Sequence, residues 1–485
     1  MSTVEYDLLL VGTGFATTFF LRSYLDHAPP RARVLVLERG FLFPHAERLK
    51  VRRGEPSAYA RINEASEATF INATPGKPWF FQTGFGGSSN CWFGCTPRFM
   101  PSDFRLRSRY GVAADWPIGY DDLAPYYDRA EEIMAVAGPE DTPFPRSGPY
   151  PQPPHLFTPV DDILQQRHGN LYISQPTARA RLAVNGRLPC CANAVCGVCP
   201  VNAKFTIENS GMGVYEDPRV ELRSGAQVFA LELEGSTVKA AYFRSRGREE
   251  TVSAEVYALG ANAMFNAHIL LSSGDTNPFT GRGLGEQVGV QATILLAGLA
   301  NVGGSTWVNA NGYMLYDGDH RATSAACLIE ANNAAYIRNE RGKWRDIARF
   351  RMIFEDLPSD DNAVTRSSDP LRPEVCYQQE HSAYVQAGVA RMKERLPALL
   401  ADLPVEDIRY DKEFASEAHI LGTTRMSDTA ATGVVDRHLI HHRYRNLFVL
   451  GGGAFPTFSP ANPTLTLSAL SMFAADRSFG SRSRS

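Results

Sequence analysis

Short apolar runs closed by glycine turns recur at both ends and in the middle of the chain. Tyr6 to Gly12 reads YDLLLVG, a nearly continuous apolar run that suits a strand buried on both faces of a parallel sheet. TTFFLRSYLDHA follows with apolar residues at helical spacing, and ARVLVLERG, Ala32 to Gly40, is a second buried strand. Together they predict a βαβ unit. EVYALGANAMFNAHILLSSG, Glu255 to Gly274, repeats strand, glycine turn and helix, and NLFVLGGGAFPT with TLTLSALSMFAADRSF does so again near the end. From about 291 to 385 the pattern changes to alternation, as in TILLAGLANV and RFRMIFEDL, which predicts antiparallel strands. SAYVQAGVARMKERLPALLADL reads as an amphipathic helix. Residues from about 42 to 110 read as irregular, and the proline-rich stretch Thr142 to Pro159 as an extended connection. No internal repeat or low-complexity block interrupts this layout.

The expected fold class is therefore α/β. A Rossmann-like nucleotide-binding domain, a parallel sheet with helices, is assembled from several segments, and a second domain with a largely antiparallel sheet is inserted between them. Composition leaves that picture unchanged. The chain has 485 residues, and a prior of about 150 residues per domain gives two or three domains. Hydrophobic content is 44%, charged content 21% and net charge −3. Nothing in that balance calls for nucleic acid or an anionic membrane surface. The apolar runs are strand-length, so no membrane span is expected. The N-terminus lacks the features of an export signal, which makes a cytoplasmic location the expectation. In that compartment cysteines more often bind metal or do redox work than form bridges. The Arg/Ser end, Arg477 to Ser485, reads as a frayed terminus.

Candidate chemistry starts at GTGFAT, Gly12 to Thr17. Gly12 makes the tight turn, and Gly14 lets backbone approach a pyrophosphate seated on the positive end of the next helix. Phe15 and Ala16 belong to the same turn. Glu38 ends the second strand, about 20 residues on, where a carboxylate meets the adenosine ribose hydroxyls; Arg39 follows it. An acid there argues against a ribose phosphate. Thr17 stands where a third glycine would allow close helix–strand packing, so the helix is expected to stand slightly off.

Three segments together resemble the glucose-methanol-choline (GMC) family of flavin-dependent alcohol oxidoreductases. They are the GTGFAT opening with Glu38, then GFGGSSNCWFGCTPR at Gly84 to Arg98, then SEAHILGTTRM with NLFVLGGGAFPTFSPANPTLTLSAL between Ser416 and Leu470. The resemblance implies an FAD-binding domain from 1–100, 200–290 and 415–485, and a substrate-binding domain from 101–199 and 291–414 that carries a cysteine-rich loop, 186–206. It implies contacts to FAD from Gly86, Gly87, Ser88, Asn90 and Cys91, from Gly260 and Ala261 near the adenosine, from Gly452, Gly453 and Ala454 near the diphosphate or ribityl chain, and from Asn462, Pro463 and Thr464 at the ring. Small residues at these places let backbone amides come close to a charged or planar ligand. Cys91 is either a small buried cysteine beside a dissociable flavin or a thiol that attaches covalently.

Oxidising an alcohol needs a base for the O–H proton and an acceptor for the C–H hydride. By resemblance His419 and Asn462 are the catalytic pair and flavin N5 takes the hydride. His419 has an ordinary pKa of ~6.5 that suits neutral operation, and Asn462 can hold the substrate oxygen and stabilise a developing alkoxide. Asn at the second position is similar to the sugar dehydrogenase and pyranose oxidase-like branches. The expected substrate is a sugar, aminosugar or similar alcohol, and the expected electron acceptor is oxygen, a quinone or a redox protein.

Four of the eight cysteines crowd into GRLPCCANAVCGVCPVNAKFT. Cys191, Cys196 and Cys199 form a C-x4-C-x2-C set suited to a [3Fe–4S] cluster, and Cys190 as a fourth ligand would allow [4Fe–4S]. The run resembles the cysteine loop of cluster-carrying bacterial FAD glucose dehydrogenases. Two readings compete: a zinc site of Cys91, Cys95, Cys196 and Cys199, or a loop without metal. For the whole chain the competing functions are a nicotinamide-dependent reductase, which leaves ANPTLT unexplained, and a non-catalytic redox or zinc scaffold.

Overall fold

A computed structural model describes residues 5–414 and 416–480; most of the Arg/Ser stretch read as a frayed terminus, 481–485, lies outside the described residues. A five-stranded parallel sheet forms one layer, in the order Leu447–Val449, Ala254–Leu259, Tyr6–Val11, Val34–Glu38, Val220–Ser224. Its central strands are buried throughout: Leu8, Leu9 and Leu10 pair with Val34, Leu35 and Val36, all 0% exposed. That is why their sequences are continuous apolar runs rather than alternating ones. Helices Phe15–His27 and Thr464–Phe479 pack on this sheet and on each other, with Phe20 and Tyr24 set edge-on to Phe479.

The second layer is a six-stranded antiparallel sheet, in the order Val405–Phe414, Val288–Leu296, Ile347–Phe354, Cys327–Asn332, Val308–Leu315, Tyr172–Ser174. One face carries Val290, Ala292, Phe350, Met352, Ile329 and Ala331 against helix Ala383–Leu399. Side chains alternate across a strand, so the opposite face takes the intervening residues. Cross-strand register sets Gln291, Arg351, Glu330 and Asn311 side by side there. This polar row is turned toward the parallel-sheet layer.

Residues 42–110 are mostly irregular, as their composition predicts, apart from short elements such as helix His45–Arg52. Thr17 departs from expectation. The helix does not stand off: Thr17 is fully buried, and Gly260 supplies the room, since a Cβ there would fall inside the shell of Thr17 Oγ1. Among the described residues no helix is long and apolar enough to cross a membrane.

Candidate active site

A cavity of about 750 Å³ lies between the two layers. One end is the first glycine turn. Gly12 has φ +93°, and a Cβ on it would sit 2.7 Å from the Gly260 carbonyl, so only glycine makes this turn. The helix that follows has neither a side-chain cap nor an acidic residue in its first turn. Its amides are therefore left to the cavity. Thr13 Oγ1 donates to Glu38 Oε2 at 2.7 Å and accepts from the Gly86 amide at 2.9 Å. The Gly40 amide donates to the other Glu38 oxygen at 2.9 Å. These bonds aim the carboxylate and lash the 84–90 loop to the glycine turn.

The other end is built from the chain's last seventy residues and the antiparallel sheet. His419, Asn462, Arg351, Glu417, Glu330, Gln291, Asn332, Trp307 and Tyr336 all line it. Ala418 has φ +62°, a costly backbone state for a residue with a Cβ, and it turns the chain so that the next side chain faces inward. Glu286 fixes this turn: Oε1 accepts from Ser416 Oγ at 2.5 Å and from the His419 amide at 3.2 Å, while its other oxygen pairs with Lys77. His419 Nδ1 is hydrogen-bonded to Gln287 Oε1. Asn462 is 8% exposed, its Oδ1 has no partner, and its side chain is hydrogen-bonded to the Glu330 carboxyl.

Enclosure reshapes the charges at this end. Burial, with Arg351 nearby, pulls His419 down to about 4 from its ordinary value, so the imidazole is neutral across the physiological range. Burial pushes Glu417 up to about 7, although the Arg351 guanidinium, 2.7 Å away, opposes that. Burial also raises Glu330, which accepts from Gln175 Nε2 at 3.2 Å. A neutral imidazole beside raised carboxyls and one guanidinium is an arrangement suited to proton transfer.

Residues 358–471 match the family model for GMC oxidoreductase. The chain thus carries the C-terminal domain of the GMC oxidoreductases. It is 28% identical to the fructose dehydrogenase large subunit of Gluconobacter japonicus, over 98% of each chain. It is 27% identical to the 6'''-hydroxyparomomycin C oxidase of Streptomyces lividus, over 96% of this chain and 89% of that one. Among solved structures, pyridoxine 4-oxidase from Mesorbium loti superposes with a TM-score of 0.62 at 17% identity, covering 98% of this chain and 99% of that one. The match includes the C-terminal segment that a nicotinamide-dependent reductase leaves unexplained.

The residues lining this cavity fit FAD. Two helices present uncapped N-termini to the cavity, at Phe15 and at Thr464, and neither has an acidic residue in its first turn. The aimed Glu38 and the orphaned Asn462 Oδ1 stand at opposite ends. Of the residues expected to contact the cofactor, Gly12, Gly14, Phe15, Ala16, Glu38, Arg39, Gly87, Ser88, Cys91, Gly260, Ala261, Gly452, Asn462, Pro463 and Thr464 line the cavity. Gly86, Asn90, Gly453 and Ala454 stand one layer behind, bonded to Thr13, Phe85, Thr424 and Met426.

The expected cluster ligands are not assembled. Cys191 is exposed and Cys190 half-buried, whereas Cys196 and Cys199 are buried. Among the described residues no three His, Cys, Asp or Glu side chains are grouped to hold a metal ion. Neither the Cys190, Cys191, Cys196 and Cys199 set nor the zinc set with Cys91 and Cys95 is grouped in this way. The sulfurs have local partners instead: Cys199 Sγ accepts from the Ala203 amide at 3.2 Å, Cys190 Sγ meets Thr306 Oγ1 at 3.5 Å, and Cys95 Sγ meets Arg179 at 3.7 Å.

Sequence reasoning missed Gln287, Glu286, Arg351, Glu417 and Glu330. The signal for the sheet residues was present as polar positions alternating with apolar ones, Gln291 and Thr293, Arg349 and Arg351, Glu330 and Asn332. Alternation marks a polar face but not what that face looks onto.

Proposed function

We propose that this protein oxidises one alcohol group of a sugar, aminosugar or related polyol to the aldehyde or ketone, with His419 as general base. The observation that carries the reading is the shared cavity: His419 and Asn462 line one end, and the glycine turn with Glu38 the other. FAD, when bound, supplies the hydride acceptor. His419 takes the hydroxyl proton, its lowered basicity keeping it unprotonated beforehand. Asn462 offers its unpartnered Oδ1 to a substrate hydroxyl. Trp307 and Tyr336 give aromatic faces, and Gln291, Asn332, Glu330 and Arg351 give hydrogen-bonding groups, a wall matched to a ring bearing many hydroxyls. The names of the relatives support the class: one is a fructose dehydrogenase and two are aminoglycoside-type oxidases, hydroxyparomomycin C and paromamine 6'.

The test is anaerobic reduction of the purified flavoprotein by a panel of sugars, aminosugars and simple alcohols, followed by reoxidation with oxygen or a dye. His419→Ala is expected to slow reduction by ~10²–10⁴-fold, the usual loss for a general base, with flavin content unchanged. Wild-type reduction rates in the variant would refute the assignment.

A further inference from the structure

Gln287 is 2% exposed and immediately precedes strand Val288–Leu296. All of its polar capacity is used within the protein. Nε2 donates to the Ser459 carbonyl and, at 2.8 Å, to the Ala461 carbonyl. Carbonyls only accept, so they identify the amide nitrogen and fix which way the group faces. Oε1 is therefore the atom turned to His419 Nδ1. It too only accepts. Nδ1 must then carry the imidazole proton, leaving Nε2 as the bare nitrogen.

We propose that Gln287 is the positioning residue of this active site: it holds His419 in the Nδ1-protonated tautomer, with Nε2 free to take the substrate proton. The same amide grips the carbonyl of Ala461, the residue before Asn462, so one side chain ties both expected catalytic groups to the root of one strand. The loop it grips is held from the other side by Ser459 Oγ, which contacts Tyr316 at 2.6 Å and Asp103 at 3.1 Å. Arg351, Glu417, Glu330, Glu286 and Lys77 are the charged groups around the ring. The Gln287 contact is a neutral acceptor on Nδ1, which orients the ring without adding a charge next to it. This inference rests on the reading of His419 as the base.

Two measurements test it. The first needs no variant: ¹⁵N spectra of the histidine-labelled holoenzyme, with the His419 signals identified by their loss in His419→Ala. The expected result is a protonated Nδ1 and a bare Nε2, and a proton on Nε2 overturns the proposal. The second compares Gln287→Met, which deletes the acceptor, with Gln287→Glu, which restores an oxygen. Gln287→Met is expected to lower kcat for flavin reduction by ~10–100-fold, the typical loss for an orienting partner, with a much smaller change in KM. Gln287→Glu is expected to recover part of that loss, because it restores the acceptor for Nδ1 but not the donors to the Ser459 and Ala461 carbonyls. Wild-type kcat in a flavin-loaded Gln287→Met protein overturns the proposal. If Gln287→Met fails to hold flavin, the wild-type spectra decide. If His419→Ala keeps wild-type turnover, the base assignment itself fails, a result separable from a wrong tautomer.

Discussion

Thr17 occupies the space that Gly260 leaves empty. The first lies in the helix after the glycine turn and the second at the end of the neighbouring strand, so helix and sheet interlock where the cofactor cavity begins. The Gly260 carbonyl also closes over Gly12. Gly260→Ala is expected to cost about 1–3 kcal/mol, the usual penalty for overpacking, and to weaken flavin retention. Thr17→Ala should be nearly neutral, because the Thr17 hydroxyl is buried with no hydrogen-bond partner. Combining the two should recover part of the loss. Urea unfolding with flavin release measures both, and strictly additive effects would contradict the interlock.

As the proposed base, His419 is expected to set the pH dependence of the reaction. A base acts when deprotonated, so activity is lost below its pKa. With His419 at about 4, kcat/KM is expected to stay flat from pH 8 to about pH 5 and fall below that. An ordinary imidazole would give a limb at ~6.5. Arg351→Gln should move the limb upward, since Arg351 is one cause of the lowered value. A wild-type limb at pH 6 to 7 that persists in Glu417→Gln would contradict the burial argument.

Stability should share this signature. His419 and His155 are both held at about 4 by burial, whereas the unfolded chain protonates them at ~6.5. Below ~6.5 these two imidazoles bind protons in the unfolded state but not in the folded one, which lowers stability between about pH 6.5 and pH 4, while Glu417, at about 7 in the folded state, works in the opposite direction. His155 accounts for part of the drop: it is buried and bonded to Ser305 and the Arg179 carbonyl. His155→Asn should flatten the slope in denaturant titrations over that window.

Glu286 holds the turn that aims His419. Its pair with Lys77 is largely buried, at 1% and 11% side-chain exposure, and breaking a buried pair by removing one partner costs about 3–5 kcal/mol. Glu286→Gln should therefore lower the unfolding midpoint and also slow turnover, because the Ser416 and His419 contacts weaken together. Lys77→Met in the same chain should restore stability more than turnover.

Cys191 is exposed and joins no ligand group. Cys191→Ser is expected to change stability by no more than about 0.5 kcal/mol, as for an ordinary surface position, and to leave flavin reduction intact. Iron and sulfide assays of wild type and variant provide the check; a stoichiometric loss of iron in the variant would show that this cysteine is a ligand.

The alternation and apolar runs by themselves determined both layers. Buried parallel strands can only be continuous apolar runs, and strands with one face on a helix can only alternate, so YDLLLVG and RFRMIFEDL announced their sheets. Local motifs likewise determined the cofactor end, because Gly12, Gly14 and Glu38 act within one βαβ unit. The family resemblance, not local motif chemistry, singled out His419 and Asn462 as the expected chemical pair. Only the tertiary structure decided what surrounds that pair. Gln287, Arg351, Glu330 and Glu417 come from four strands or their flanks, and long-range register brings them around that pair. It is also tertiary packing that lets Gly260 make room for Thr17, and that leaves Cys191 exposed while Cys190 and Cys199 meet separate partners. Their spacing specifies reach along the chain, but convergence on one point depends on how the loop is held by Thr306 and its own amides.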